Sequence, residues 1–239
     1  LIRSNLSFLF LYKEYLRLAW YVYVKFDLMN KTKHLNIEKL FSLESYHEVP
    51  FPHVVVSDFF SEKLFRYLYF KIDNFLSLNV NLEDLKEEFS ERKKKLPEGG
   101  IPNITYRRDR WEKLGIGFDF YKELQINIAP VKERIFDFYH QSRFAEKYYL
   151  DMFFTFTLPG ISYEIHDDFP SKCWTLAYFI YPEKNAATVL YDKSKKKSYK
   201  YNWKLNSGIA FCPRNLLTWH SYHNPSPDKV RSALVINIV

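Results

Sequence analysis

The sequence predicts an α+β, mainly β chain whose core is a double-stranded β-helix (jelly-roll) flanked by N-terminal helices. Eight short β-rich runs follow one another after Tyr148, at 152–158, 161–166, 173–181, 187–191, 198–203, 208–213, 217–223 and 231–238, and no repeat or low-complexity linker divides them. Aromatic residues make up 19% of the chain, with 22 Phe and 19 Tyr against 6 Gly, a composition of strands and a dense aromatic core rather than of disorder. Ahead of the β-rich part, apolar residues recur at helical spacing, as in Leu64, Leu68, Ile72 and Phe75.

At 239 residues the chain fits one domain with a short extension. We divide it into a helical extension, 1–48, and a principal domain, 49–239. Residues 1–28 are rich in Leu, Phe and Tyr, but Lys13, Glu14, Arg17 and Lys25 interrupt the run short of the roughly 20 apolar residues of a membrane span. An amphipathic helix packed on the domain or a partner is expected there, and Met29, the first methionine, is a candidate native start. A short helix and connector are expected over 37–48 and a strand over 53–60.

Ser61 is placed to cap the helix carrying Leu64 to Phe75. Asn81 precedes a second helix with Leu82, Leu85 and Phe89 on one side, acidic residues early and Arg92 to Lys95 late, in accord with the helix macrodipole. Pro97-Glu98-Gly99-Gly100 is a turn. Residues 104–110 read as a strand or the start of a substrate loop, where Tyr106, Arg107, Arg108, Arg110 and Trp111 mix aromatic and basic side chains. Pro130 suits the first turn of a helix carrying Val131, Ile135 and Phe138.

Basic residues exceed acidic ones by seven and the pI is about 9.1, a balance that attracts anionic partners. Much of the excess lies in Arg92–Lys95 and Lys193–Lys200, expected at a helix end and a hairpin tip. Cys173 and Cys212 are the only cysteines; they lack the spacing of a zinc pair and fit buried thiols in a reducing cytoplasm.

The chemistry concentrates near His166-Asp167-Asp168. His166 and Asp168 stand two residues apart at the end of an extended run, so on a strand both side chains leave the same face. His220 or His223 can supply a third ligand. Two nitrogens and one carboxylate leave positions open on a divalent ion, the arrangement that non-haem Fe(II) oxygenases use for co-substrate and dioxygen.

From Pro50-Phe51-Pro52-His53 through His166-Asp167-Asp168-Phe169-Pro170, Thr175 to Phe179, Asn206-Ser207-Gly208, Thr218-Trp219-His220 and Arg231, the chain resembles the 2-oxoglutarate and Fe(II)-dependent dioxygenases, in particular the prolyl 4-hydroxylase-like branch. The resemblance spans roughly 49–239. Asn185-Ala186-Ala187 stands where that family often has paired glycines, and Ala233 means the Arg-x-Ser variant is absent.

The resemblance implies that His166, Asp168 and a distal histidine hold Fe(II), that 2-oxoglutarate chelates the iron, and that Arg231 pairs with its far carboxylate. Tyr178 is expected to add a hydroxyl to that carboxylate, with Phe179 competing for the alignment. Dioxygen would be consumed and succinate and carbon dioxide released, with hydroxylation as the outcome; Asp168 stands where halogenating relatives carry a small residue.

We select His220 as the distal ligand. Asn224-Pro225-Ser226-Pro227-Asp228 is strong turn chemistry. A hairpin centred between Pro225 and Ser226 would set His220 opposite Arg231 and His223 opposite Asp228. The Thr218-Trp219-His220 triplet also resembles the family's distal-histidine strand.

Specificity has no readable code. A protein side chain, a sugar or lipid intermediate, a nucleobase or another small molecule are the substrate classes this fold accommodates. Two other readings are a cupin-like protein that binds a metal or small molecule without oxidising it, and a basic nucleic-acid-binding module using Tyr106 to Trp111 as a platform.

Overall fold

A computed structural model describes residues 34–97, 102–139, 148–168, 171–214 and 216–239. The expectations for residues 1–28 and for Met29 lie outside them.

The chain forms two antiparallel sheets and a helical layer. The seven-stranded sheet has the order β1 (Tyr46–His47), β2 (His53–Ser57), β9 (Ser207–Phe211), β6 (Trp174–Tyr181), β11 (Arg231–Ile238), β4 (Leu150–Thr157), β3 (Ile104–Arg107). The four-stranded sheet runs β5 (Ser162–His166), β10 (His220–His223), β7 (Thr188–Tyr191), β8 (Ser198–Tyr201). Each of the eight runs expected after Tyr148 coincides with one of the strands β4 to β11. Helices α1 (Glu62–Ser77), α2 (Asn79–Lys93), α3 (Phe118–Ile128) and α4 (Lys132–Phe138) precede them.

Strand β6 shows how the layers are joined. It is apolar along nearly its whole length because both its faces are covered, and its alternation sorts the side chains. Leu176, Tyr178 and Ile180 enter the larger core with Leu64, Leu68, Ile72 and Phe75 of α1, at helical spacing. Phe179 instead joins Ile209, Phe211 and Ala233 of its own sheet and Leu190 of the other in a second core between the sheets. Fully burying a side chain such as Leu68 is worth about 1.5–3 kcal/mol, so the α1 stripe is enough to fix the helix on the sheet. Ser61 caps α1, its Oγ accepting from the Leu64 amide at 3.3 Å.

Several sequence expectations need correction. Helix α2 begins at Asn79, ahead of Asn81, and the Asn81 Nδ2 donates to the Phe75 carbonyl at 2.9 Å, tying α2 back to α1. Of residues 34–48, Leu35, Leu40 and Phe41 share the main core, and β1 pairs with β2. The basic–aromatic segment is no open platform, because Tyr106 and Trp111 are buried and Arg110 forms a fork on Glu88 at 2.9 and 2.6 Å. The turn after β10 does not close a hairpin. β10 pairs with β5 and β7 whereas β11 pairs with β4 and β6, so residues 224–230 cross from one sheet to the other.

Lys193–Lys197 lie exposed at the tip between β7 and β8, and Lys200 on the edge strand β8, as a solvated tip should. Arg92 pairs with Glu88 and Lys94 with Glu91 along α2. Cys173 and Cys212 are both buried. No helix among the described residues is long and apolar enough to cross a membrane.

Gly208 lets β9 approach β6, since a Cβ there would press on the Ala177 carbonyl and stand 2.8 Å from the Tyr178 Cα. Gly208→Ala is therefore expected to lower unfolding free energy by about 1–3 kcal/mol, the usual cost of overpacking a core. Chemical denaturation measures it, and a wild-type midpoint would show that the two strands yield freely.

Candidate active site

The two sheets enclose a cavity of about 110 Å³ that His166, Asp168, His220 and Arg231 all line. By volume this is room for several waters. A larger cavity of about 660 Å³ lies beside Arg108, Trp111 and Phe118 and holds none of the expected site residues.

His166 and His220 are register partners on β5 and β10, with ring centroids 4.3 Å apart. Each Nδ1 lies within hydrogen-bond distance of the carbonyl two residues back, Glu164 at 2.8 Å and Thr218 at 2.9 Å. A carbonyl only accepts, so both Nδ1 atoms carry the proton and both Nε2 atoms keep a lone pair, the orientation that metal-binding histidines adopt. Burial, reinforced by the neighbouring His220, holds the His166 pKa below the ordinary imidazole value, which favours the neutral ring.

A register shift between His220 and Tyr222 makes this face possible. Tyr222 pairs with Tyr163 while His220 pairs with His166, so β5 carries one residue more than β10 over the same stretch. That bulge lets Tyr163 and His166, three apart, face the same way. The Tyr163 ring stacks on Tyr222 at 4.6 Å.

Asp168 lines the same cavity two residues beyond His166. Burial works against its ionisation, but His220, Lys172 and His166 together outweigh burial and hold the carboxyl below its usual range. Its Oδ1 makes a short ion pair with the Lys172 ammonium. Among the described residues no three His, Cys, Asp or Glu side chains are gathered as a ready metal cage. The structure thus pairs two imidazoles and leaves the carboxylate on a lysine. The donor set still fits a divalent ion: two prepared imidazole nitrogens and one ionised carboxylate share a cavity, and a doubly charged ion competes favourably with one ammonium.

Asp167, passed over in the sequence, anchors this corner. Its carboxylate accepts from the Leu216 amide at 2.6 Å and the Thr218 hydroxyl at 2.5 Å, tying the end of β5 to the loop that leads into His220. A buried Thr two residues before the histidine was the available signal.

Arg231 occupies the other end. It begins β11 and is 5% exposed, and it donates to the Thr188 hydroxyl at 3.0 Å and the His223 carbonyl at 3.3 Å. The rings of Tyr222 and Trp203 lie 4.6 Å from its guanidinium and that of Phe179 5.7 Å. Among the described residues no carboxylate pairs with it. Burial pulls its pKa down to about 10, with Tyr222 partly opposing, so it is charged at neutral pH at an energetic cost. Tyr222 lies near both ends, since its ring is also 6.4 Å from that of His166.

Two other expected positions lie apart. Tyr178 is on the opposite face of β6, where its hydroxyl accepts from the Phe59 amide at 3.0 Å and lies 2.6 Å from the Asn206 carbonyl; burial raises its pKa. It braces the helix-side core and has no contact with the cavity, whereas Phe179 lines it. The His223 Nδ1 is 2.6 Å from the Ser162 hydroxyl, away from the His166–His220 pair.

A prolyl hydroxylase from Trichoplax adhaerens, solved with a hypoxia inducible factor oxygen degradation domain peptide fragment, superposes with TM-score 0.54 at 13% identity, over 78% of this chain and 82% of that one. The fold is that of the prolyl hydroxylase-like 2-oxoglutarate/Fe(II) oxygenases. A 2-oxoglutarate/Fe(II) oxygenase-family oxidoreductase from Burkholderia pseudomallei is also similar, with TM-score 0.48 and 13% identity over 87% of this chain and 91% of that one. No protein-family model matches the sequence, and no curated protein sequence matches it. Within this oxygenase fold, the imidazole pair and the buried guanidinium occupy the two ends of one cavity between the sheets.

Two outcomes follow. Tyr178→Phe strands a buried amide and is expected to cost about 1–3 kcal/mol of stability, with 2-oxoglutarate affinity unchanged; a loss of affinity would place the hydroxyl in the site after all. Arg231→Met removes a buried charge that no carboxylate among the described residues pairs with, and is expected to stabilise the ligand-free protein by about 1–4 kcal/mol. Thermal melts with and without 2-oxoglutarate check this: the variant should melt higher than wild type alone and gain nothing from the ligand, and a lower melt in both would mean the guanidinium is structural.

Proposed function

We propose that the protein is a 2-oxoglutarate- and Fe(II)-dependent dioxygenase that hydroxylates a C–H bond and releases succinate and carbon dioxide. The facing sheets are read as a double-stranded β-helix with its ligands held between them. One observation carries the proposal: a buried guanidinium with no acidic partner among the described residues shares a small cavity with two imidazoles whose Nδ1 atoms face backbone carbonyls.

His166, Asp168 and His220 would hold the metal. When bound, Fe(II) supplies the site at which dioxygen is reduced at the expense of 2-oxoglutarate decarboxylation. The protein's own contribution is binding and orientation. The planar fork of Arg231, with the Thr188 hydroxyl beside it, suits the far carboxylate of a short dicarboxylate. Tyr222, with Tyr163 stacked on its ring, lines the space between the two ends. The neutral His166 offers its lone pair at physiological pH without first losing a proton. The substrate class is a protein side chain, a sugar or lipid intermediate, or another small molecule; a peptide is the ligand of the Trichoplax adhaerens relative.

A second reading is favoured by the Lys172–Asp168 ion pair, which satisfies the carboxylate without a metal. It describes a protein that binds a dicarboxylate without oxidising it. Succinate release from 2-oxoglutarate, with and without Fe(II) and against a substrate panel, separates the two. Mn(II) binding tests the ligand set: His166→Ala, Asp168→Ala and His220→Ala are each expected to abolish it, and His223→Ala to retain it. Loss with His223→Ala alone would exchange the roles of the two histidines.

A further inference from the structure

Asn237 and Thr175 are register partners across β11 and β6. Thr175 lines the cavity, as do Arg231, Ala233 and Val235 of β11, and Asn237 continues that alternation on the same face. Asn237 is fully buried and Thr175 is 4% exposed. The Thr175 Oγ1 lies 2.9 Å from the Asn237 Oδ1 and 3.4 Å from the Asp168 Oδ2, while the Asn237 Nδ2 is buried with no hydrogen-bond partner among the described residues.

A threonine hydroxyl has one proton to give. In this orientation of the amide, the proton goes to Asn237, the Asp168 contact has no donor, and a buried N–H is orphaned. Turning the amide by half a rotation exchanges oxygen and nitrogen on nearly the same positions. Nδ2 then donates to the Thr175 Oγ1, which donates its own proton to the Asp168 Oδ2. The amide oxygen takes the unpartnered place, and an unpartnered buried carbonyl is more readily tolerated than an unpartnered N–H.

We propose that Asn237 is a positioning residue for Asp168, acting through Thr175 by a chain of two hydrogen bonds that ends on the carboxylate. The inference rests on reading Asp168 as a metal ligand. The chain reserves Oδ2 for Thr175 and leaves Oδ1, the oxygen now on Lys172, as the atom offered to a metal. Asp168 would therefore ligate through one oxygen, from one fixed rotamer.

Mn(II) binding to the metal-free protein, followed by electron paramagnetic resonance of the free ion, tests this without any turnover. Partners that orient a ligand are typically worth 10–100-fold in metal affinity, so Thr175→Val and Asn237→Leu should each weaken Mn(II) by about tenfold or more. The double variant should be no weaker than Thr175→Val alone, and Thr175→Ser should bind like wild type. Asn237→Asp, of the same size, only accepts from Thr175 once ionised, so its Mn(II) affinity should fall as pH rises through that ionisation, even if Asn237→Leu folds poorly. If the Asn237 variants melt lower but bind Mn(II) as wild type does, or if the two losses multiply in the double variant, Asn237 is only packing and the proposal fails. Wild-type protein that binds no Mn(II) overturns the metal reading together with this one, whereas tight binding by wild type and all variants overturns this one alone.

Discussion

The structure turns on a buried cation, Arg231, for which no described residue supplies a charge partner. Arg231 starts the interior strand β11, yet its guanidinium donates to Thr188 and to the His223 carbonyl on the opposite sheet. Its hydrogen bonds and the rings around it thus span the two sheets at the cavity. Polar bonds and ring faces reduce the cost of the buried charge without cancelling it, which leaves the site complementary to an anion. A dicarboxylate would supply the missing charge, and stability and ligand binding draw on the same interaction.

The other end of the cavity depends on β10 and its neighbour. The bulge in β5 aligns Tyr163 on Tyr222 and His166 on His220, and the Asp167 bonds to Leu216 and Thr218 hold the loop that positions the second imidazole. Backbone carbonyls at Glu164 and Thr218 then fix the tautomers. The smaller sheet thus orients the imidazoles, while the seven-stranded sheet supplies the arginine and, through Thr175 and Asn237, a brace for the carboxylate.

Much of this was legible in the sequence, for identifiable reasons. The strands after Tyr148 show because each is a short aromatic or β-branched run, and α1 shows because one stripe of it meets a sheet. His166 and Asp168 stand out by residue type and spacing, and His220 and Arg231 by the family resemblance; all four line one cavity. What escaped is what depends on pairing between distant strands. A tight turn at 224–228 looks like a hairpin, yet Asn224 is fully buried and its Nδ2 donates to the Thr157 and Lys229 carbonyls, bracing a crossing between sheets. Tyr178 and Phe179 are adjacent, so only the register of β6 decides which one meets the cavity. Tyr106 and Trp111 look like an exposed platform because their burial comes from α1, α3 and β4, remote in sequence or invisible to local charge.

The account stands most directly on how the two ends of the cavity act on one ligand. Calorimetric titration of 2-oxoglutarate and of glutarate, which has both carboxylates but no 2-oxo group, into the protein with and without Mn(II) measures this. Mn(II) is expected to strengthen 2-oxoglutarate binding far more than glutarate binding, because only the former can chelate the metal while Arg231 holds its far carboxylate. Equal affinity for the two diacids, unchanged by Mn(II), would contradict it.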